Sequence, residues 1–189
     1  YLGLTESTNG LSLPRDTEVV LVLAEDEYRI QTSIMKAREL ADIVIVNAHW
    51  GNEYTHEPTD NQRILAEKMA SWGADVIIGH HPHVIQPVDL LTNEDGSNEM
   101  VVAYAIGNQV SNQRTEDMDG LTYGHSEDGY MVSLTLKRDT KGTVTVDKAN
   151  FIPIWLYHSS NGGGEYYVLP LDEPDTLAEK TGLSLGTDV

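Results

Sequence analysis

Apolar residues fall into two alternating patterns along the first half of the chain. "EVVLVLA" (18–24), "DIVIVNAHW" (42–50) and "ADVIIGHH" (74–81) are short, nearly continuous runs rich in β-branched residues, the pattern of buried strands. Between them, "RIQTSIMKARELA" (29–41) places Ile30, Ile34, Ala37 and Ala41 at helical spacing. "PTDNQRILAEKMASWG" (58–73) carries Leu65, Met69 and Trp72 at i, i+4 and i+7. Thr59 and Gln62 have the spacing of a capping box at its start, and Gly73 supplies a stop. Strand, helix, strand with short connections predicts a βαβ crossover in a parallel sheet.

Past "VVAYAIGN" (101–108) the texture changes. Residues 113–129 are polar and glycine-bearing, which predicts a long surface loop. "YMVSLTLKR" (130–138), "TVTVDKANFIPIWLYH" (143–158) and "EYYVLP" (165–170) follow as strands, separated by turns at "DTKG" and "SSNGGG". They predict an antiparallel layer, and "EPDTLAEKTGL" (173–183) predicts a short terminal helix. No repeat or linker divides the chain. The expectation is one α/β domain over residues 1–189, a layered sandwich of mixed sheets flanked by helices.

Composition narrows the partners. Twelve Lys and Arg against thirty Asp and Glu give a net charge of −18, which disfavours nucleic acid and anionic lipid. A polyanionic substrate would need a local source of positive charge, and a metal ion is one. The chain has no cysteine, which excludes disulfides, thiolate metal sites and a Cys nucleophile. No apolar run reaches the roughly 18 residues of a spanning helix, and "YLGLTESTNG" has no signal-peptide pattern.

The candidate chemistry sits at the ends of two strands. "VIVNAHWG" ends in His49, and "IIGHHPHV" carries His80, His81 and His83 within four positions. Ligands of parallel α/β sheets gather outside the carboxyl ends of strands, so neighbouring strands would bring these histidines into one crevice. Neutral imidazole is the commonest side-chain metal ligand. In an extended segment His81 and His83 share one side and His80 takes the other. Gly79 permits close backbone approach and Pro82 stiffens the turn. This spacing points to His49, His81 and His83 as ligands, with His80 facing substrate or supporting the ligands. His56, His125 and His158 stand apart and fit surface or structural roles.

Other chemistries fit less well. "HWGNEY" lacks the second histidine of an H-E-x-x-H zinc peptidase. "TYGHSEDG" (122–129) puts Ser, His and acids side by side, but adjacency is not triad geometry. The acidic stretches "AEDEY" and "TEDMDG" lack EF-hand spacing.

In combination, "TNG" (8–10), "HWGNEY" (49–54), "GHHPHV" (79–84) and "YAIGN" (104–108) resemble the CapA-type bacterial capsule, or poly-γ-glutamate, synthesis proteins. The similarity is strongest over about residues 41–110. The resemblance implies a calcineurin-like metallophosphatase fold with metal ligands on loops at strand ends. It implies that His49 is one metal-binding histidine and that His81 and His83 are the His-x-His pair. It further implies Glu53 and Tyr54 near the ligands or substrate, and Asn108 at the border of the site. The cofactor expected is a divalent metal, Mn, Zn or Fe. Two such metals would polarise a phosphoester and generate hydroxide near neutral pH, with His80 as the catalytic group that stabilises leaving-group charge.

The sequence departs from the family pattern upstream: no Gly-Asp-x-His and no Gly-Asn-His-Asp step is present. The chain is therefore expected to correspond to the C-terminal portion of a family member, with at most a mononuclear site of its own. The function implied is metal-dependent hydrolysis or transfer on a phosphoester or cell-envelope polymer. The alternative is a non-catalytic, polymer-handling part of a capsule export complex, the fragment being inactive alone. Implied partners are an envelope polymer or its precursor and membrane components of capsule synthesis. The implied location is extracellular or envelope-associated, through an upstream signal or anchor.

Overall fold

The structure is a computed structural model that describes residues 1–8, 10, 23–92, 96, 99–115, 125–159, 164–172, 175 and 179. The elements run β1 (Leu2–Thr5), α1 (Glu27–Leu40), β2 (Ile45–His49), α2 (Asp60–Ser71), β3 (Val76–His80), β4 (Val88–Thr92) and β5 (Glu99–Ala103). The last three are β6 (Asp128–Arg138), β7 (Val144–His158) and β8 (Tyr166–Pro170). Of the expected strand at 18–24, only its end is described, where Leu23 bridges Thr5 in parallel. The expected terminal helix at 173–183 lies outside the described residues apart from 175 and 179. Residues 116–124 of the expected loop also lie outside them.

Two sheets organise the chain. The first has order β1-β2-β3-β5-β4 and is parallel except for β4, which pairs antiparallel with β5. The second is the antiparallel set β6-β7-β8. The α/β class and the antiparallel second half thus agree with the sequence pattern, while β1 and β4 were not anticipated. β1 has only four residues, and β4, an edge strand, buries none of its five residues fully. An edge strand that is half solvated carries little apolar signal of its own.

The strand residues divide by face. Val46 and Ala48 of β2, Ile77 of β3 and Val102 of β5 pack with Ile30 and Ile34 of α1 and Leu65, Ala66 and Met69 of α2. Complete burial of one such aliphatic side chain contributes about 1.5–3 kcal/mol. On the opposite face, Ala103 and Ile106 meet Tyr130, with Ile78 and Val132 packed against them. The order of layers is therefore helices, five-stranded sheet, three-stranded sheet.

Local signals set the helix ends. Asp26 accepts a hydrogen bond from the Arg29 N–H at the start of α1. Thr59 and Gln62 form the capping box the sequence predicts, a cap that stabilises α2 by about 1 kcal/mol. Asp75, at the entrance to β3, accepts hydrogen bonds from the Val44 N–H at 2.6 Å and from Arg38 of α1. Burial raises the Asp75 carboxyl above its ordinary range, and these two donors oppose that rise. No helix among the described residues is long and apolar enough to cross a membrane.

Candidate metal centre

β2 and β3 run parallel in a register that pairs His49 with His80. The Trp50 N–H then donates to the His80 carbonyl at 3.1 Å, carrying the pairing one step beyond β2. The Trp50 ring is fully buried, and its Nε1–H donates to the Tyr104 carbonyl at 2.9 Å. A large, doubly anchored indole thus fixes the point at which the 49–57 loop leaves the sheet.

Beyond these strand ends the backbone turns sharply. Tyr54, His81 and His83 have φ of 58°, 98° and 61°, the left-handed region that side chains other than glycine occupy at a cost of about 1–2 kcal/mol each. The Tyr54 N–H donates to the Pro82 carbonyl at 2.7 Å, tying the two turns together. This corrects the reasoning from spacing. His81 and His83 share a side because two left-handed residues curl the segment, not because an extended strand alternates, and β3 ends at His80.

The imidazoles meet as the strand-end argument requires. The rings of His49 and His81 lie 4.5 Å apart, and those of His81 and His83 lie 6.2 Å apart. Glu53, His81 and His83 each offer a donor atom, and these atoms lie within 4.8 Å of one another. Glu53 is exposed and the two histidines are half-buried, so this group opens to solvent. Nδ1 of His81 is buried without a hydrogen-bond partner among the described residues. A buried nitrogen left in that state is costly unless a further group satisfies it.

Neighbouring groups hold the other rings. His49 Nδ1 lies 3.1 Å from Thr5 Oγ1 on the adjacent strand β1. His83 Nδ1 lies 3.0 Å from Asn108 Oδ1, and Tyr54 stacks on the His83 ring at 5.8 Å. The Tyr54 hydroxyl accepts from Gln113 Nε2 at 3.1 Å. Glu6 accepts the Gly51 N–H at 2.7 Å, so β1 also braces the 49–57 loop.

Burial dominates the electrostatics of His49 and His80. Burial, then the neighbouring His81, lowers the pKa of His49; its backbone hydrogen bond opposes them, His83 adds a smaller lowering and Glu6 a still smaller rise. Burial likewise lowers the pKa of His80, with His49 adding to the effect. Burial, then the Glu53 charge, raises the Tyr54 phenol against the Gln113 hydrogen bond, so it stays protonated at neutral pH. Neutral imidazoles with free lone pairs are the form that binds metal.

All seven residues singled out in the sequence lie on or beside these strand ends. Glu53 stands closer to the centre than its supporting role implied, sharing the donor cluster with His81 and His83. His80 is half-buried beside His49 in the strand register. The remaining histidines lie elsewhere. His56 Nδ1 meets the Ile85 carbonyl at 2.9 Å, His125 pairs with Asp128 at 3.1 Å, and His158 stacks on Tyr166. Sequence reasoning missed Thr5, Glu6 and Gln113. None belongs to a motif, and Thr5 and Glu6 reach the site only because β1 pairs with β2.

Comparison with known proteins agrees with the motif resemblance. Residues 4–113 match the family described as "Bacterial capsule synthesis protein PGA_cap". The chain is 40% identical over 132 residues to the "PGA biosynthesis protein CapA" of Bacillus subtilis (strain 168), covering 68% of this chain and 33% of that protein. It is also 40% identical over 92 residues to the "Capsule biosynthesis protein CapA" of Bacillus anthracis, covering 47% of this chain and 21% of that protein. The matched region spans about a third or less of the length of these relatives.

Proposed function

This chain belongs to the bacterial capsule synthesis protein family, and from that footing we propose that its strand-end histidines form a divalent-metal site serving phosphoester chemistry on a capsule-type polymer or its precursor. The observation that carries the reading is the convergence of donor atoms from Glu53, His81 and His83, together with a buried His81 Nδ1 that has no hydrogen-bond partner among the described residues. The donor set fits a metal of the Mn, Zn or Fe type: imidazoles together with a carboxylate. Glu53, His81 and His83 would hold the ion, with His49 beside them. The helix, sheet, sheet layering and the site at the carboxyl ends of parallel strands support a metallophosphatase-like arrangement.

A bound divalent metal supplies Lewis-acid polarisation of a phosphoryl oxygen and a water that ionises near neutral pH. The chain's own groups supply the rest. His80, neutral by burial, offers a proton-carrying imidazole next to His49. Tyr54 keeps its phenol proton and shields one face of His83. The acidic chain repels a polyanion broadly, so such a polymer would approach where the local charge is positive. A capsule polymer belongs to the cell envelope, so the proposed place of action is at or outside the cell surface.

Calorimetric titration with Mn²⁺ and Zn²⁺ tests the site on this chain and on a His81→Ala, His83→Ala variant. Micromolar or tighter binding, lost in the variant, is the expected result. Equal, weak heats in both would overturn the metal reading. Hydrolysis of bis(p-nitrophenyl) phosphate by the Mn²⁺-loaded chain would establish phosphoesterase competence. Metal binding without hydrolysis would favour a non-catalytic, cation-mediated hold on the polymer.

A further inference from the structure

The hydrogen bonds around the cluster determine which nitrogen of two imidazoles carries the proton. The backbone carbonyl of Ser126 can only accept. It lies 2.9 Å from Asn108 Nδ2, and Gln113 Oε1 lies 3.4 Å from the same nitrogen. The atom facing these oxygens must be the amide NH₂, so Asn108 is fixed in one orientation and Oδ1 faces His83. An amide oxygen cannot donate, and the 3.0 Å contact to His83 Nδ1 therefore requires a proton on that nitrogen. In the neutral ring Nε2 is then the atom without a proton, and it is the nitrogen that lies 3.9 Å from Glu53 Oε1.

The same logic holds at His49 with different chemistry. The Thr5 hydroxyl has one proton, and the geometry commits it to the Ser7 carbonyl. Its oxygen also receives the Ser7 N–H at 3.2 Å. Facing His49 Nδ1 at 3.1 Å, it is left only as an acceptor, so Nδ1 of His49 carries the proton and Nε2 is free.

We propose that Asn108 and Thr5 are positioning residues that lock the neutral rings of His83 and His49 as Nδ1–H tautomers, so that each neutral ring presents an unprotonated Nε2. The lock itself is a property of the chain without any ligand. Its purpose rests on the metal reading above: a ring whose other nitrogen is already hydrogen-bonded is held in orientation and made more basic toward a metal. Asn108 is in turn held by a carbonyl of the 125–127 turn, so the segment leading into β6 of the second sheet sets the protonation pattern of a ligand on the first.

Long-range ¹H–¹⁵N correlation of the imidazoles, in metal-free protein at about pH 8, reads the tautomers directly. His49 and His83 are expected to show a protonated Nδ1 and an unprotonated Nε2. Asn108→Leu removes the acceptor and is expected to shift His83 toward the Nε2–H form. Asn108→Asp keeps an acceptor and should retain the Nδ1–H form. Thr5→Val and Thr5→Ser make the corresponding pair for His49. Zn²⁺ affinity is expected to fall about 10–100-fold in Asn108→Leu. An Nε2–H resonance for either histidine in the unmodified chain overturns the lock for that residue, without recourse to any variant. A His83 tautomer unchanged by Asn108→Leu overturns the role of Asn108. Correct tautomers in a chain that binds no Zn²⁺ would sustain the lock and remove the metal reading instead.

Discussion

Gly79 packs against the carbonyl of Tyr104 so closely that an added Cβ would fall 1.7 Å from its oxygen. That oxygen also accepts the Trp50 indole N–H, and the Gly79 carbonyl accepts the Ile106 N–H at 3.1 Å. The end of β3, just before the histidines, is thus built on a contact only glycine permits.

Gly79→Ala is expected to destabilise the chain by at least about 3 kcal/mol, the upper range for overpacking, because the obstructing atom is backbone and cannot rotate away. Urea denaturation followed by tryptophan fluorescence would measure it. A loss below about 1 kcal/mol would show that β3 and the 104–106 segment can separate freely.

A second dependence runs through two buried glutamines. Gln62 Nε2 donates to Gln86 Oε1 at 2.9 Å, while Gln86 Nε2 donates to the Thr55 carbonyl at 2.9 Å. α2 is thereby connected to both loops that carry the candidate-site residues. Gln62→Leu would leave the Gln86 oxygen and the Thr59 N–H without these partners, and a loss of about 2–3 kcal/mol is expected. The same denaturation experiment tests it, with Gln86→Leu in the Gln62→Leu background expected to add much less than its single effect.

Acid should weaken the metal-free chain from pH 6.5 downward. His49 and His80 both have pKa values below their ordinary 6.5, so between that value and the lowered ones the unfolded state binds more protons than the folded state. Stability is then greatest above pH 6.5 and falls as pH drops through the folded values. Asp75 and Asp128 act with the opposite sign, since burial raises both above 3.8 and protonation there favours the fold. Urea midpoints between pH 7.5 and 5 should decline, and a His49→Asn, His80→Asn variant should flatten that decline. An unchanged slope in the variant would assign the acid sensitivity elsewhere.

Metal should stabilise the fold by mass action if the site binds it. Zn²⁺ at about 100 times its Kd adds about 2.7 kcal/mol, or roughly 5–10 °C in Tm for a chain of this size. Differential scanning calorimetry with Zn²⁺ and then with excess chelator would measure it. The shift should vanish in the His81→Ala, His83→Ala variant.

Much of the architecture was written in local pattern. The capping box at Thr59 and Gln62, the helical spacing of Leu65 and Met69, and the β-branched runs ending in His49 and His80 reappear as α2, β2 and β3. Burial on both faces forces such runs to be apolar, which makes them conspicuous. β4 escaped because an edge strand pairs on one side only and tolerates polar residues, and β1 because four residues are too short a run to show a period. The candidate site was legible where strand ends supplied repeated histidines, and illegible where a supporting group came from a distant element.

The sequence by itself determined that this is an acidic, cysteine-free α/β chain with histidines gathered at two strand ends. It also carried the motifs that place the chain in its family, because composition, periodicity and short motifs are local properties. Only the tertiary structure decided that His81 and His83 meet through left-handed turns, that Glu53 joins them, and that Thr5 and Asn108 hold the outer rings. Those relations depend on φ angles and on contacts between residues 25 to 44 positions apart, which no local pattern encodes.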